Sequence, residues 1–260
     1  MWGAVMDWMF WMPEGATLNE LVMFTGVLWL IHQLVSIGSA LFFKSLHEKD
    51  RFPKLRAQKG KEPADKLVES AWKEWLLNHT VSVPVFMALV LYPLFVWRGG
   101  TVSVVIPEAT EVLIDLAVCI FANETIFYFS HRLLHNKKLF RMIHRKHHTF
   151  RQVRPISSEY AHPVENLLNL IAMYAGLIIM GSSFLTWGLW VALRIYETND
   201  GHSGYEHIDS ASRHAYHHQF PTKGCYGTAV GIWDRILGTD KNWREWKAKE
   251  RAKAEKATTA

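Results

Sequence analysis

Residues 18–43, LNELVMFTGVLWLIHQLVSIGSALFF, contain neither Lys nor Arg and exceed the roughly 20 helical residues that cross a hydrocarbon core. A cleaved signal peptide fits this run poorly, because no basic segment precedes it and the apolar stretch is too long. Three further apolar blocks follow at 79–97, 102–130 and 164–198. The 49% hydrophobic content is therefore gathered into blocks, the pattern of a chain that folds in lipid. The last block, 35 residues long, is too long for one span and short for two. Gly181, Ser182 and Ser183 near its middle predict a helical hairpin that enters the bilayer and returns. The expected fold is an all-α integral membrane helical bundle, about three spans plus that hairpin, capped by a histidine-rich helical domain.

No Lys or Arg precedes Lys44, whereas residues 44–78 are rich in both. The positive-inside rule then places residues 1–17 in the lumen and the 44–78 loop in the cytosol. Within that loop, Leu67, Ala71, Trp72, Trp75 and Leu76 recur at helical spacing, so 62–78 reads as a helix lying on the membrane surface. Residues 18–243 form the membrane domain, and 244–260 a charged helix fading into a disordered tail. The net charge of +5 does not imply nucleic acid, because the basic residues sit between apolar blocks and in the tail, where cytosolic loops meet an anionic leaflet. Cys119 and Cys225 supply neither a disulfide framework nor a CxxC metal pair.

The chemistry lies in the histidines. His131 and His135 form H-x-x-x-H, while His144, His147 and His148, and again His214, His217 and His218, form H-x-x-H-H. On a helix, residues three and four apart share a face, so each group aims imidazoles at one point. Imidazole suits iron, zinc and copper, and so many donors exceed the needs of one tetrahedral ion; two metals are expected. Isolated His32, His47 and His79 read as ordinary core or interfacial residues.

With these boxes, the phrases HRLLH, SEYAHPVE, LRIYETNDGHSGY, SRHAYHH and WDRILGTDK resemble the fatty acid hydroxylase/sterol desaturase superfamily, and within it the C-4 methylsterol oxidases. The likeness spans about residues 70–243. It implies a multi-pass endoplasmic-reticulum enzyme with cytosolic histidine boxes and a di-iron centre. It further implies oxygen as co-substrate and electrons from NAD(P)H through cytochrome b5 and its reductase. The expected reaction is oxidation of a lipid C–H bond, foremost the C-4 methyl group of a sterol, in company with other C-4 demethylation enzymes. Residue by residue, the implied ligands are His131, His135, His144, His147, His148, His214, His217 and His218, with His202 of GHSGY as a further one. Box three departs from the methylsterol oxidases in reading His-Ala before the aromatic, where they tend to have His-Asp.

Carboxylates nearby are expected to accept hydrogen bonds from ligand imidazoles. Glu124 lies seven residues before His131 on the same helix face, and Glu197 and Asp200 flank the approach to His202. His162 is a candidate tenth ligand or the partner of Glu159 or Glu165. His207 reads as an exposed loop residue. The alternatives are a hydroxylase or desaturase of another sterol or fatty acyl lipid, a zinc-dependent membrane hydrolase, which lacks the HExxH pattern here, and a metal carrier, which would distribute polar residues through its spans.

Overall fold

A computed structural model describes residues 16–58 and 61–259; the segment expected in the lumen, 1–17, falls almost wholly outside them. The chain is an all-α membrane bundle, and no strand forms among the described residues. Helix α1, Leu18–Glu48, opens on Thr17, whose hydroxyl accepts the Glu20 N–H at 3.2 Å and so satisfies a donor that the first turn leaves orphaned.

Helix α2 runs unbroken from Asp65 to Trp97, so the expected helix 62–78 and the second span are one continuous helix. At about 1.5 Å per residue it is roughly 50 Å long, well beyond the hydrocarbon thickness. Its outer turns direct their apolar stripe inward: Leu67, Ala71 and Trp75 pack on Phe150, Ile156 and Tyr160. Two π turns, Asn78–Ser82 and Met87–Leu91, explain how one helix holds Pro84 and Pro93. A proline ring clashes with the carbonyl four residues earlier, and a widened turn there relieves the clash.

Helix α3, Ala109–Leu134, begins later than the apolar block at 102, after Pro107. Helices α4, Pro163–Met180, and α5, Phe184–Gly201, form the expected hairpin. Gly181 turns the chain at φ +67, a conformation that costs a residue with a Cβ about 1–2 kcal/mol. The Arg98 guanidinium at the end of α2 donates to the carbonyls of Ile178 and Ile179, at 2.8 and 3.0 Å, capping α4. Among the described residues, four helices are long and apolar enough to cross a membrane: α1, α2, α3 and α4.

Phe24 and Leu28 of α1, Tyr92 and Phe95 of α2, Leu177 of α4 and Trp187 of α5 share one buried core. Helices α3 and α4 approach so closely that a Cβ on Gly176 would stand 2.4 Å from the Cys119 Cα. Backbone cannot yield as a side chain can, so Gly176→Val is expected to destabilise the protein by about 1–3 kcal/mol, the usual cost of overpacking. Thermal unfolding in detergent checks this against Gly26→Ala, whose new methyl meets nothing within 4 Å; equal stabilities for the two variants would contradict the contact.

Beyond the bundle, residues 135–159 run through short turns, α6 spans Asp209–Gln219, and α7 spans Lys241–Thr259. The α1–α2 connection is strapped to the segment after α5. His47 Nε2–H donates to the Ser203 carbonyl at 2.7 Å, Ala57 N–H to Gly204 at 2.9 Å, and Glu206 N–H to Leu55 at 2.7 Å.

Candidate metal centre

The structure gathers the nine predicted histidines into two groups. One holds His131, His135, His144, His148 and His217; the other holds His147, His202, His214 and His218. In each group one nitrogen per ring lies within 4.8 Å of all the others. The groups are not the sequence boxes. His144 closes a π turn, Phe140–His144, and His147 opens a 3₁₀ turn, His147–Thr149, so the helical spacing expected for box two does not apply, and it gives two rings to one group and one to the other. Box three lies on a true α-helix, α6. His214 and His218, four apart, share a face, and His217 points into the first group.

Hydrogen bonds at the far nitrogens fix the tautomers. The Nδ1–H of His131 donates to the Tyr226 carbonyl at 2.9 Å, that of His217 to Gly224 at 2.8 Å, that of His218 to Phe150 at 2.7 Å and that of His202 to Thr198 at 2.8 Å. His144 Nδ1–H donates to the Glu165 carboxylate at 2.8 Å. A neutral imidazole with its proton on Nδ1 carries only a lone pair on Nε2. Yet His131 and His144 bring their Nε2 atoms to 2.9 Å, and His144 Nε2 lies 3.0 Å from those of both His135 and His148. In the second group, His214 Nε2 lies 2.8 Å from that of His202 and 3.1 Å from that of His218. Between His131 and His144, and between His214 and at least one of its two neighbours, lone pairs therefore face each other and repel unless a cation lies among them. Neighbouring nitrogens bound at about 2.1 Å and at right angles to one ion stand about 3.0 Å apart, so the donor set fits a metal in each group.

Burial holds these rings neutral. Desolvation, with the repulsion of neighbouring imidazoles added, pushes His135, His144, His147, His148, His214, His217 and His218 far below the ordinary 6.5. Desolvation also lowers His202, to about 4, against the raising effect of its bond to Thr198. A neutral imidazole is the form that binds metal.

The carboxylates differ from expectation. The one that bonds a clustered imidazole is Glu165, buried near the start of α4. Its signal in the sequence is SEYAHPVE, where it stands three residues after His162. Glu124 bonds no histidine: it accepts from Thr228 Oγ1 at 2.5 Å, from Val230 and Gly231 N–H at 2.9 Å each and from Ile232 N–H at 3.3 Å. It sits on the predicted face, but what meets it there is a loop from far along the chain. That loop carries the Tyr226 carbonyl that orients His131, and Asp234 anchors its other half through the N–H groups of Tyr226 and Gly227, at 2.9 and 2.7 Å. Glu197 pairs with Arg194, and Asp200 faces His207 Nε2 at 3.0 Å, so neither reaches a clustered imidazole; His207 is the exposed loop residue expected, with Asp200 as its partner. His162 lies outside both groups; its Nδ1 accepts the Val164 N–H at 3.2 Å and caps α4.

Glu124→Gln is expected to lower stability by about 1–3 kcal/mol, since one amide oxygen must replace two carboxylate oxygens before several buried donors. Metal per folded chain should stay near that of the unaltered protein, because no clustered imidazole loses its partner. Thermal unfolding with metal analysis of the folded fraction checks both; an unchanged midpoint with lost metal would contradict this placement.

Both groups open onto one cavity. His131, His144, His147, His202 and His214 form part of its wall, and Phe127, Leu134, Leu170, Met173 and Ile195 contribute apolar surface from α3, α4 and α5. The profile of the family described as Fatty acid hydroxylase matches residues 116–239, which hold all nine histidines. Fatty acid hydroxylase domain-containing protein 2 of Homo sapiens is 32% identical over 267 residues, covering 96% of this chain and 78% of that protein. The chain belongs to the fatty acid hydroxylase family. The chain is also similar to methylsterol monooxygenase 2-2 of Arabidopsis thaliana, at 32% identity over 84% of the chain and 86% of the relative. A very-long-chain aldehyde decarbonylase of Oryza sativa subsp. japonica is 31% identical over 91% of the chain and 94% of the relative. No solved structure is a significant match. These relatives support a membrane lipid oxidoreductase.

Proposed function

We propose that this protein is a di-iron monooxygenase of the endoplasmic reticulum that oxidises a C–H bond of a membrane lipid, foremost the C-4 methyl group of a sterol. One observation carries the reading: two separate imidazole groups open side by side onto a single cavity walled by membrane helices. A lipid C–H bond is inert to acid, base and nucleophile, and bound iron supplies the oxygen and one-electron chemistry that side chains lack. His131, His135, His144, His148 and His217 would hold one ion, and His147, His202, His214 and His218 the other. The chain fixes ring orientation through Glu165 and the carbonyls of Phe150, Thr198, Gly224 and Tyr226, raising ligand basicity. Phe127, Leu134, Leu170 and Met173 exclude water and position the apolar substrate.

Electrons would come from NAD(P)H through cytochrome b5 and its reductase. Arg132, Lys137, Lys138, Arg141 and Arg145 lie exposed on the chain between His131 and His147, a basic surface suited to an acidic donor. The boxes would face the cytosol, with the N-terminus lumenal. Cysteines placed at Lys138 and Thr222, both exposed, should be labelled together from the cytosolic side, since the native Cys119 and Cys225 are buried; labelling from opposite sides would overturn this topology.

Repeated oxidation of one methyl would leave a carboxylate for other C-4 demethylation enzymes to process. The similarity to an aldehyde decarbonylase favours a second reading, in which the substrate is a long-chain aldehyde or acyl lipid. Expression in yeast lacking its C-4 methylsterol oxidase, with sterol profiling, separates the two. A fall in 4,4-dimethyl sterols supports the first. Persistent accumulation despite abundant, iron-loaded protein overturns it, and supplied very-long-chain aldehyde then tests the second.

A further inference from the structure

The cavity wall carries a polar pair that the metal groups do not use. Arg194 and Glu197, on successive turns of α5, pair with each other and both line the cavity, with Asn166 and Asn169 of α4 also in the wall. Both side chains are largely out of water, the arginine 13% and the glutamate 26% exposed. Arg194 Nε–H is buried with no hydrogen-bond partner among the described residues. A charged pair largely withdrawn from water is costly, and inside a membrane protein such residues commonly mark a substrate path. Helix capping and metal binding do not account for it, since Arg194 caps no helix end among the described residues and Glu197 reaches none of the clustered imidazoles.

The chemistry of the pair restricts what it can hold. Guanidinium only donates and carboxylate only accepts, and together they carry no net charge. A hydroxyl, which accepts and donates at once, satisfies both: it can accept from the guanidinium and give its own proton to Glu197. A carboxylate meets the repulsion of Glu197, an ether or carbonyl leaves the acceptor unanswered, and a hydrocarbon leaves both unanswered. The amides of Asn166 and Asn169 are likewise neutral donor-acceptors. Glu197 and Arg194 stand five and eight residues before His202 on the same helix, about 8 and 12 Å along its axis.

We propose that the Arg194–Glu197 pair is the docking site for a hydroxyl group of an apolar lipid, seated inside the cavity within a few turns of helix of the histidine groups. This rests on the lipid-oxidising reading and narrows it to substrates that already bear an alcohol near the carbon to be oxidised.

The test is binding to the full-length, iron-loaded protein in phospholipid nanodiscs, which needs no turnover. The probes are cholesterol with its 3-methyl ether, and octadecanol with its methyl ether. On at least one skeleton the alcohol should bind at least about tenfold more tightly than the ether, as expected where buried groups are left unpaired. In Arg194→Met the ratio should fall to about one with iron content kept. Equal binding of alcohol and ether on both skeletons, or a ratio that survives in Arg194→Met, would overturn the proposal. Should Arg194→Met fail to fold, Glu197→Gln decides. It removes the carboxylate that pairs with the guanidinium and would repel an acid, so stearate should gain about tenfold on octadecanol, and an unchanged stearate-to-octadecanol ratio sinks the idea. Alcohol selectivity without lipid oxidation would leave this site standing and fail the monooxygenase reading alone.

Discussion

Replacing His144 by alanine is expected to reduce lipid oxidation to background and to empty the first imidazole group while the second keeps its metal. His144 Nε2 is the hub of that group, within 2.9–3.0 Å of the Nε2 atoms of His131, His135 and His148. Its removal takes away a ligand and the ring that spaces three others, and a site that exists only in the folded state loses affinity with each donor. His218→Ala should do the converse, sparing the first group. His47→Ala should spare both, since that ring serves the Ser203 carbonyl outside either group. Metal per chain and product formation in purified protein check all three. Retention of full activity and metal by His144→Ala would refute the grouping.

The second large effect is at Glu165. This buried carboxylate accepts the Nδ1–H of His144 at 2.8 Å, which holds the ring in the tautomer whose lone pair faces the group. Losing such an outer partner typically costs about 10- to 100-fold in metal affinity or activity. Glu165→Gln keeps an acceptor oxygen and should lie near the lower end. Glu165→Leu removes the acceptor, frees the ring to turn, and should lie near the upper end. Metal-competition titration and turnover per bound iron give the two numbers. Equal behaviour of Gln, Leu and unaltered protein would show that Glu165 is only a packed residue of α4.

The spans and the histidines were legible because hydropathy over some twenty residues and short-range spacing are local signals. Local reading also gave the α4–α5 hairpin, since Gly181 and its two serines stand where the chain must turn. It misled where local order is interrupted. The change from a charged to an apolar stretch near residue 78 divides a surface helix from a span on paper, whereas π turns let a single helix continue through that point and through Pro84 and Pro93. The π and 3₁₀ turns between Phe140 and Thr149 likewise break the 3.6-residue period, so box two serves both groups, which no spacing rule could show. Face arguments for Glu124, Glu197 and Asp200 named the right kind of residue but not its neighbours. Glu124 meets residues 228–232, a contact made by tertiary folding alone. Sequence offered Glu165 only as a possible partner of His162; Pro163 starts α4 between them, leaving His162 as its cap while Glu165 turns inward to His144.

The most direct measurement is the metal content of the full chain, purified without a histidine tag and analysed for iron, zinc and copper by mass spectrometry. Two groups, one of five and one of four imidazoles, predict about two iron ions per folded chain, falling to about one in His144→Ala and, independently, in His218→Ala. A single zinc per chain, or metal that disappears from neither variant, would contradict it.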